Sequence, residues 1–288
     1  MLHDSVDSAK KEGGQCSAQQ KQKMMEQQQE EMISSCLSRI KNKIFVLSGK
    51  GGVGKSSVSA NLAATLAKKG FKTGLMDVDL HGPSIAQMFG MTELLDVNQN
   101  KQLIPKQGAD NLKIVSIQAL MQDKNQAIIW RGPAKTGMIK QFISSVDWGD
   151  LDFLIIDAPP GTGDEPISVV QMIKDAKALV VTTPQEVALA DVRKSISFCR
   201  TVKIETLGII ENMGPFECPH CGKTIELFKS GGGEKTARAE RLNFLGSIPF
   251  DLDVVISGDE GSPIVLEKPD SNFSKAFDKI VDKISKLL

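Results

Sequence analysis

The amino-acid sequence predicts an α/β fold, a mostly parallel twisted sheet with helices on both faces. Three observations lead there. Short, unbroken apolar runs recur along the chain, as they do in strands buried on both sides. Helical patterns with one apolar face separate those runs, and this alternation is the mark of a parallel sheet. A glycine-rich loop lies between the first run and the first helix, at the strand end where such sheets bind ligands. The 288 residues, 41% of them apolar and 24% charged, suffice for a sizeable core without disulfides or structural metals.

Residues 1–40 stand apart. Seven glutamines fall between Gln15 and Gln29, beside lysines and glutamates. Such a stretch buries little apolar surface and reads as a polar extension, mobile or a solvated helix. Residues 41–288 read as the folded domain. Ile44-Phe45-Val46-Leu47 is a buried strand. The helix after the glycine-rich loop puts Val58, Leu62, Ala63 and Leu66 on one face. Thr73 to Val78 is the next strand and Lys113 to Ile117 a weaker one. Phe153-Leu154-Ile155-Ile156 and Ala178-Leu179-Val180-Val181 are strong buried strands. Val187 to Phe198 is a helix leading to a strand at Thr206 to Ile210, and Phe244 to Ile248 is a last short strand. From Asp270 a capped helix carries Phe273, Phe277, Ile280, Val281, Ile284 and Leu288 on one stripe.

Charge and composition exclude several function classes. Lys plus Arg and Asp plus Glu both number 35, so the formal net charge is zero. A protein that coats nucleic acid or anionic membrane by bulk charge is not expected. No apolar run approaches the ~20 residues of a membrane span. The first residues lack the apolar core of a signal peptide, so the expected location is cytoplasmic. Five cysteines in such a chain suggest metal or redox chemistry before a disulfide framework.

The sharpest motif is Gly49-Lys50-Gly51-Gly52-Val53-Gly54-Lys55-Ser56. It fits G-x-x-x-x-G-K-[ST] without a mismatch, between a strand and a helix as a phosphate loop requires. The glycines let backbone N–H groups turn inward towards phosphate oxygens, and the helix N-terminus adds its positive end. Lys55 supplies a cation for the β- and γ-phosphates and Ser56 a hydroxyl for Mg²⁺. Ser57, the next residue, is counted with the nucleotide contacts. Asp157 ends a buried strand, the expected place for a carboxylate serving Mg²⁺, and Pro159-Pro160-Gly161-Thr162-Gly163 reads as a rigid start to a switch loop. Asp77 and Asp79, two residues apart near a strand end, point to the same side.

Cys218-Pro219-His220-Cys221-Gly222, in a loop over 213–223, is the second motif. Two thiolates at this spacing can share one metal centre. Three readings compete: a redox dithiol, which suits a thioredoxin fold better than this one; half of a zinc knuckle, for which the chain has no second pair; and a site completed by the same pair from a second subunit. Cys199 sits in an apolar helical pattern and reads as core.

Lys50 with Lys55 resembles the deviant phosphate loop KGGxGK[ST] of the family containing MinD, ParA and the nitrogenase iron protein. In that family the extra lysine reaches the nucleotide of the facing subunit, which implies hydrolysis dependent on dimerisation and favours the shared cysteine site. SGKGGVGKSS, DVDLHGPS, WRGP, IIDAPPGTGDE, TTPQ, ENM and CPHCG occur in the order seen in the Mrp/ApbC branch of these ATPases, over about residues 40–288. The resemblance implies a homodimeric ATPase of the deviant Walker A type. It would bind a labile [4Fe-4S] cluster through Cys218 and Cys221 of both subunits and pass it to apo-proteins. It also implies that Asp79 orients water and contacts Mg²⁺, that Asn212 hydrogen-bonds the adenine, and that Ile248-Pro249-Phe250-Asp251 contacts the base. Arg131, in WRGP, has no derivable role. Cytosolic scaffold relatives carry four cysteines upstream of the loop, whereas this chain has only Cys16 and Cys36. A positioning ATPase of the MinD or ParA kind and a zinc-clasped scaffold are the alternatives; the first leaves CPHCG without a job.

Overall fold

The computed structural model describes residues 20, 24, 27–80, 82–120, 132–218 and 220–288. A helix over 27–38 (α1) leads into β1 (Ile40–Ser48), α2 (Lys55–Lys68), β2 (Thr73–Asp77) and α3 (Ile85–Met88). Next come β3 (Asp96–Val97), β4 (Leu103–Ile104), β5 (Lys106–Ala109), β6 (Leu112–Ser116) and, beyond a short 3-10 turn, α4 (Gly132–Ser144). The second half runs β7 (Leu151–Asp157), α5 (Asp164–Met172), β8 (Lys177–Thr182), α6 (Glu186–Thr201), β9 (Thr206–Gly214), β10 (Phe216–Glu217), β11 (Thr224–Ile225), α7 (Gly232–Glu240) and β12 (Phe244–Pro249). It closes with α8 (Asp253–Asp259), α9 (Ile264–Glu267) and α10 (Asn272–Leu287).

Eight strands form one sheet in the order β12-β9-β8-β1-β7-β2-β6-β5. Every pairing is parallel except β5 with β6. β1 lies between β7 and β8. From it the chain first builds β2 and β6 on one side, returns through β7, then builds β8, β9 and β12 on the other. The loop after β1 therefore stands at the point where strand order reverses, the crevice that open α/β sheets use for ligands.

The apolar run of β1 serves two cores because neighbouring side chains point to opposite faces. Phe45 and Leu47 join one cluster with residues of α4, α5 and α6, including Phe142, Val169 and Ile196. Ile44 and Val46 join the other, with Val58, Leu62 and Leu66 of α2 and Phe277, Ile280 and Ile284 of α10. The stripe on α10 is as its spacing predicts, with one correction: Leu288 is 38% exposed and lies beyond the buried stripe. The cap is Ser271, whose Oγ accepts from Ser274 N at 3.1 Å.

The polar extension also needs correcting where the structure describes it. Ile33 and Leu37 of α1 are 5% exposed and belong to the Phe45 core. Their spacing of four residues puts both on one face of a helix, so a narrow apolar stripe docks a segment whose composition reads as solvated. Cys16, His81, Trp130, Arg131 and Pro219 lie outside the described residues. Among the described residues no helix is long and apolar enough to cross a membrane.

Candidate functional site

The phosphate loop joins β1 to α2, and two of its glycines are required by close neighbours. A Cβ on Gly49 would run into the backbone of Asp191 in α6, and one on Gly54 into the Asn212 amide. Gly54 also has φ 80° as the residue before α2, a left-handed conformation that an L side chain adopts at a cost. Lys55 is buried, and its Nζ lies 2.9 Å from Asp157 Oδ2. Ser56 Oγ donates to the same oxygen at 2.6 Å, and Ser59 Oγ to Oδ1 at 2.7 Å. The fully buried Asp157 carboxylate thus has a cation and two hydroxyls around it, which is how a charge is tolerated away from water. Sequence reading missed Ser59. Its signal is a hydroxyl three residues after Ser56, on the same side of the helix.

Asp77 ends β2 in register with Asp157 on β7. Burial, then the Asp157 charge, push its carboxyl up to about 8, against the opposing pull of the Asp79 N–H, Lys55 and Ser116. Ser116 Oγ lies 3.0 Å from Asp77 Oδ2. Burial and the Asp157 charge thus favour the protonated form of Asp77, as suits a structural neighbour of the site. Asp79, two residues past the strand, accepts from Gly82 N at 3.3 Å. Lys50 is half-buried, and its ammonium pairs with no described residue.

A cavity of about 350 Å³ opens beside Gly54 and Ser57, within the size range of small-molecule sites. Asn212 and Met213 from the end of β9 form one wall, and Pro249 at the end of β12 with Phe250 and Asp251 beyond it another. The Asn212 amide donates to Val53 O at 2.9 Å, so this side chain is tied to the phosphate loop itself. Of the four residues expected at the second wall, Ile248 is instead fully buried core. Its neighbours on the strand alternate outward. Asn61 and Met88 also line the cavity, and nothing local in the sequence marks them.

The cysteine motif is the tip of a hairpin, with β10 and β11 antiparallel. Cys218 N donates to Lys223 O and Gly222 N to Cys218 O, both at 2.9 Å. The backbone N–H groups of His220 and Cys221, then the Cys221 side chain, hold the Cys218 thiol below its usual range. Such a thiol is readied for metal binding, since the thiolate is the ligand. Cys221 and His220 are exposed. No group of three or more His, Cys, Asp or Glu poised for one metal ion occurs among the described residues. The other described thiols differ. Cys36 donates to Val146 O at 2.8 Å, and burial, helped by Asp147, pushes it up to about 11. Cys199 is core, as expected, and burial pushes it to about 11.

Over residues 39–285 the sequence matches the family described as ParA, NUBPL iron-transfer P-loop NTPase. An iron-sulfur cluster carrier protein of Methanococcus maripaludis is 47% identical over 253 residues, 87% of this chain and 88% of that protein. The cytosolic Fe-S cluster assembly factor CFD1 of Kluyveromyces lactis is 46% identical over 267 residues, 86% of this chain and 92% of that protein. A nucleotide-binding protein from Archaeoglobus fulgidus, solved in complex with ADP, superposes with a TM-score of 0.74 at 40% identity, covering 86% of this chain and 96% of that one. The cell division ATPase MinD of Pyrococcus furiosus gives a TM-score of 0.64 at 25% identity, covering 86% and 99%. By sequence across its whole sheet and by fold, this chain belongs to the ParA family of P-loop NTPases, in its NUBPL iron-transfer group.

Proposed function

We propose that this chain is an ATP-dependent iron–sulfur cluster carrier. It works as a homodimer, holds a labile [4Fe-4S] cluster as cargo between the Cys218 and Cys221 pairs of two copies, and delivers it to apo-proteins in the cytoplasm. The observation that carries the reading is the cysteine hairpin. It offers two accessible thiols, one readied as a thiolate, and no third ligand among the described residues. A four-thiolate cluster site then needs a second copy. The names of the carrier and assembly-factor relatives support the same cargo.

The nucleotide half of the proposal rests on the phosphate loop. The hard oxygen donors of Ser56 and Asp157, 2.6 Å apart, fit Mg²⁺, which when bound there would neutralise phosphate charge. Lys55, now on Asp157, turns to the β- and γ-phosphates. Asp79 orients the attacking water, and Lys50 reaches the nucleotide of the facing copy. Gly51, Gly52 and Val53 line the phosphates with their backbone, Ser57 stands beside them, and Asn212 meets the adenine. Hydrolysis is slow and dimer-dependent, because one of its cations comes from the other subunit. Nucleotide state changes how the two copies face each other and so how exposed the cluster is.

Anaerobic reconstitution with iron and sulfide tests this, with iron, sulfide and zinc measured per chain beside Cys218→Ala. About four irons and four sulfides per dimer, lost in the variant, support the carrier. Zinc that persists in place of iron moves the reading to a zinc-clasped scaffold. No Cys218-dependent metal leaves a nucleotide switch of the MinD kind.

A further inference from the structure

The wall of the nucleotide cavity and the two segments that lead into and out of the cysteine hairpin share one aromatic cluster. Phe250 lines the cavity between Pro249 and Asp251. Its ring centroid lies 5.5 Å from that of Phe216 at an interplanar angle of 55°, and 6.5 Å from that of Phe228 at 68°. Both are tilted, edge-type contacts within the range where rings attract. Phe216 stands two residues before Cys218 on the outgoing strand. Phe228 stands on the return path to α7. The backbone repeats the link, since Phe250 N donates to Gly214 O at 3.0 Å. A Cβ on Gly214 would run into Ser247 Oγ, so β9 and β12 are pressed together at this point. The opposite wall, Asn212 and Met213, stands at the end of β9, and the chain runs on from Gly214 into β10, with Phe216, and then to Cys218.

We propose that Phe250, Phe216 and Phe228 transmit occupancy of the cavity by a nucleotide base to the Cys218–Cys221 hairpin. A base packed against Phe250 presses it onto these two phenylalanines and stiffens the outgoing strand at Phe216 and the return segment at Phe228. The thiols then respond to the base of the nucleotide and not only to its phosphates. Phe216 and Phe228 are positioning residues in this scheme, since neither lines the cavity. The purpose of the link rests on the carrier reading, but the link itself is measurable on bare thiols.

The experiment uses the full-length, reduced, metal-free chain. Iodoacetamide alkylation of Cys218 and Cys221 is followed by peptide mass spectrometry with Mg²⁺ alone, with Mg²⁺ and ATP, and with Mg²⁺ and inorganic triphosphate. ATP is expected to slow alkylation by about five-fold or more, the lower end of common coupling between sites, and triphosphate to leave it unchanged. The double variant Phe216→Leu, Phe228→Leu is expected to lose the ATP effect while binding ATP as the parent does. The variant Phe216→Tyr, Phe228→Tyr keeps the rings and should keep the effect. An ATP effect retained in the leucine variant overturns the inference, as does an equal effect of triphosphate. Either result leaves the carrier reading standing, because that reading falls only if Cys218-dependent iron is absent.

Discussion

The phosphate loop and the cysteine hairpin hang from the same edge of one sheet, after β1 and β9, and are built in opposite ways. The loop draws its carboxylate, its Lys55 cation and its hydroxyls from one chain, and only the proposed Lys50 contact comes from the second copy. Lys55, Asp157 and Ser59 are buried, Ser56 is half-buried, and all four are mutually paired. The hairpin has two-residue strands, an exposed Cys221 and two of the four thiols that the proposed cluster needs. A site that stabilises charge on transferring phosphate benefits from donors fixed in advance. A site that must release its cargo is better left open to solvent and to a second protein. On the carrier reading, the contrast assigns rigidity to the nucleotide end and lability to the cargo end, and the proposed phenylalanine link around Phe250 joins them.

The sharpest way to separate the two regions is Lys55→Ala. Removing the cation from the phosphate site should lower ATP turnover by about 10²–10³-fold, as loss of one charge-stabilising donor does elsewhere, while iron loading at Cys218 and Cys221 stays near the parent level. Turnover and iron content measured on one preparation check both halves. A loss of iron equal to the loss of turnover would break the separation.

Thiol chemistry gives the next largest effect. At pH 8, Cys218 should alkylate more than about 100-fold faster than Cys199, because a thiol at about 11 holds roughly a hundredth of the thiolate of one at its ordinary value of 9.0, and burial slows it further. Cys36 should resemble Cys199. Time-resolved mass mapping reads the order, and a fast Cys36 would mean that α1 leaves its place.

Asp77 tests the rigidity of the nucleotide end through pH. Its folded carboxyl is raised to about 8 from 3.8, so the unfolded chain gives up this proton first. Stability linked to Asp77 is full below about pH 4 and is lost as pH rises through about 8. Asp77→Asn should therefore be more stable than the parent by roughly 1–3 kcal/mol at pH 8.5, with the gain shrinking towards pH 4. Urea unfolding at the two pH values measures it; a gain that grew on acidification would contradict the assignment.

The smallest effect is at the other region. Cys218→Ala should change unfolding free energy by less than about 0.5 kcal/mol, as for surface substitutions, because the hairpin tip supports none of the core. A larger loss in urea would show that the cargo end also holds the fold.

Seven of the eight strands of the sheet were legible in the sequence, most clearly β1, β7 and β8, which are continuous apolar runs, a signal contained in a few neighbouring residues. The phosphate loop was legible for the same reason, and so were Asp157 at a strand end and the two-cysteine motif. Less was visible where the signal is thin. Helix α1 shows only Ile33 and Leu37 inside a glutamine-rich stretch. The antiparallel β5 is four residues, KQGA, without alternation. Helix α7 begins with two glycines, and α8 and α9 are too short for a periodic face.

What the sequence by itself determined is local: most of the sheet strands, a phosphate-loop motif with a second lysine, and two cysteines at a spacing that can share one metal centre. These depend on spacing over a handful of residues. Only the tertiary structure decided that Ser59 grips Asp157, 98 residues away, that Asp77 faces Asp157 and has its carboxyl pushed up by it, and that Asn212 ties β9 to the phosphate loop. It also decided that Phe216 and Phe228 meet Phe250. Such contacts join residues brought together by strand order, and strand order is set by how the whole chain buries its two cores.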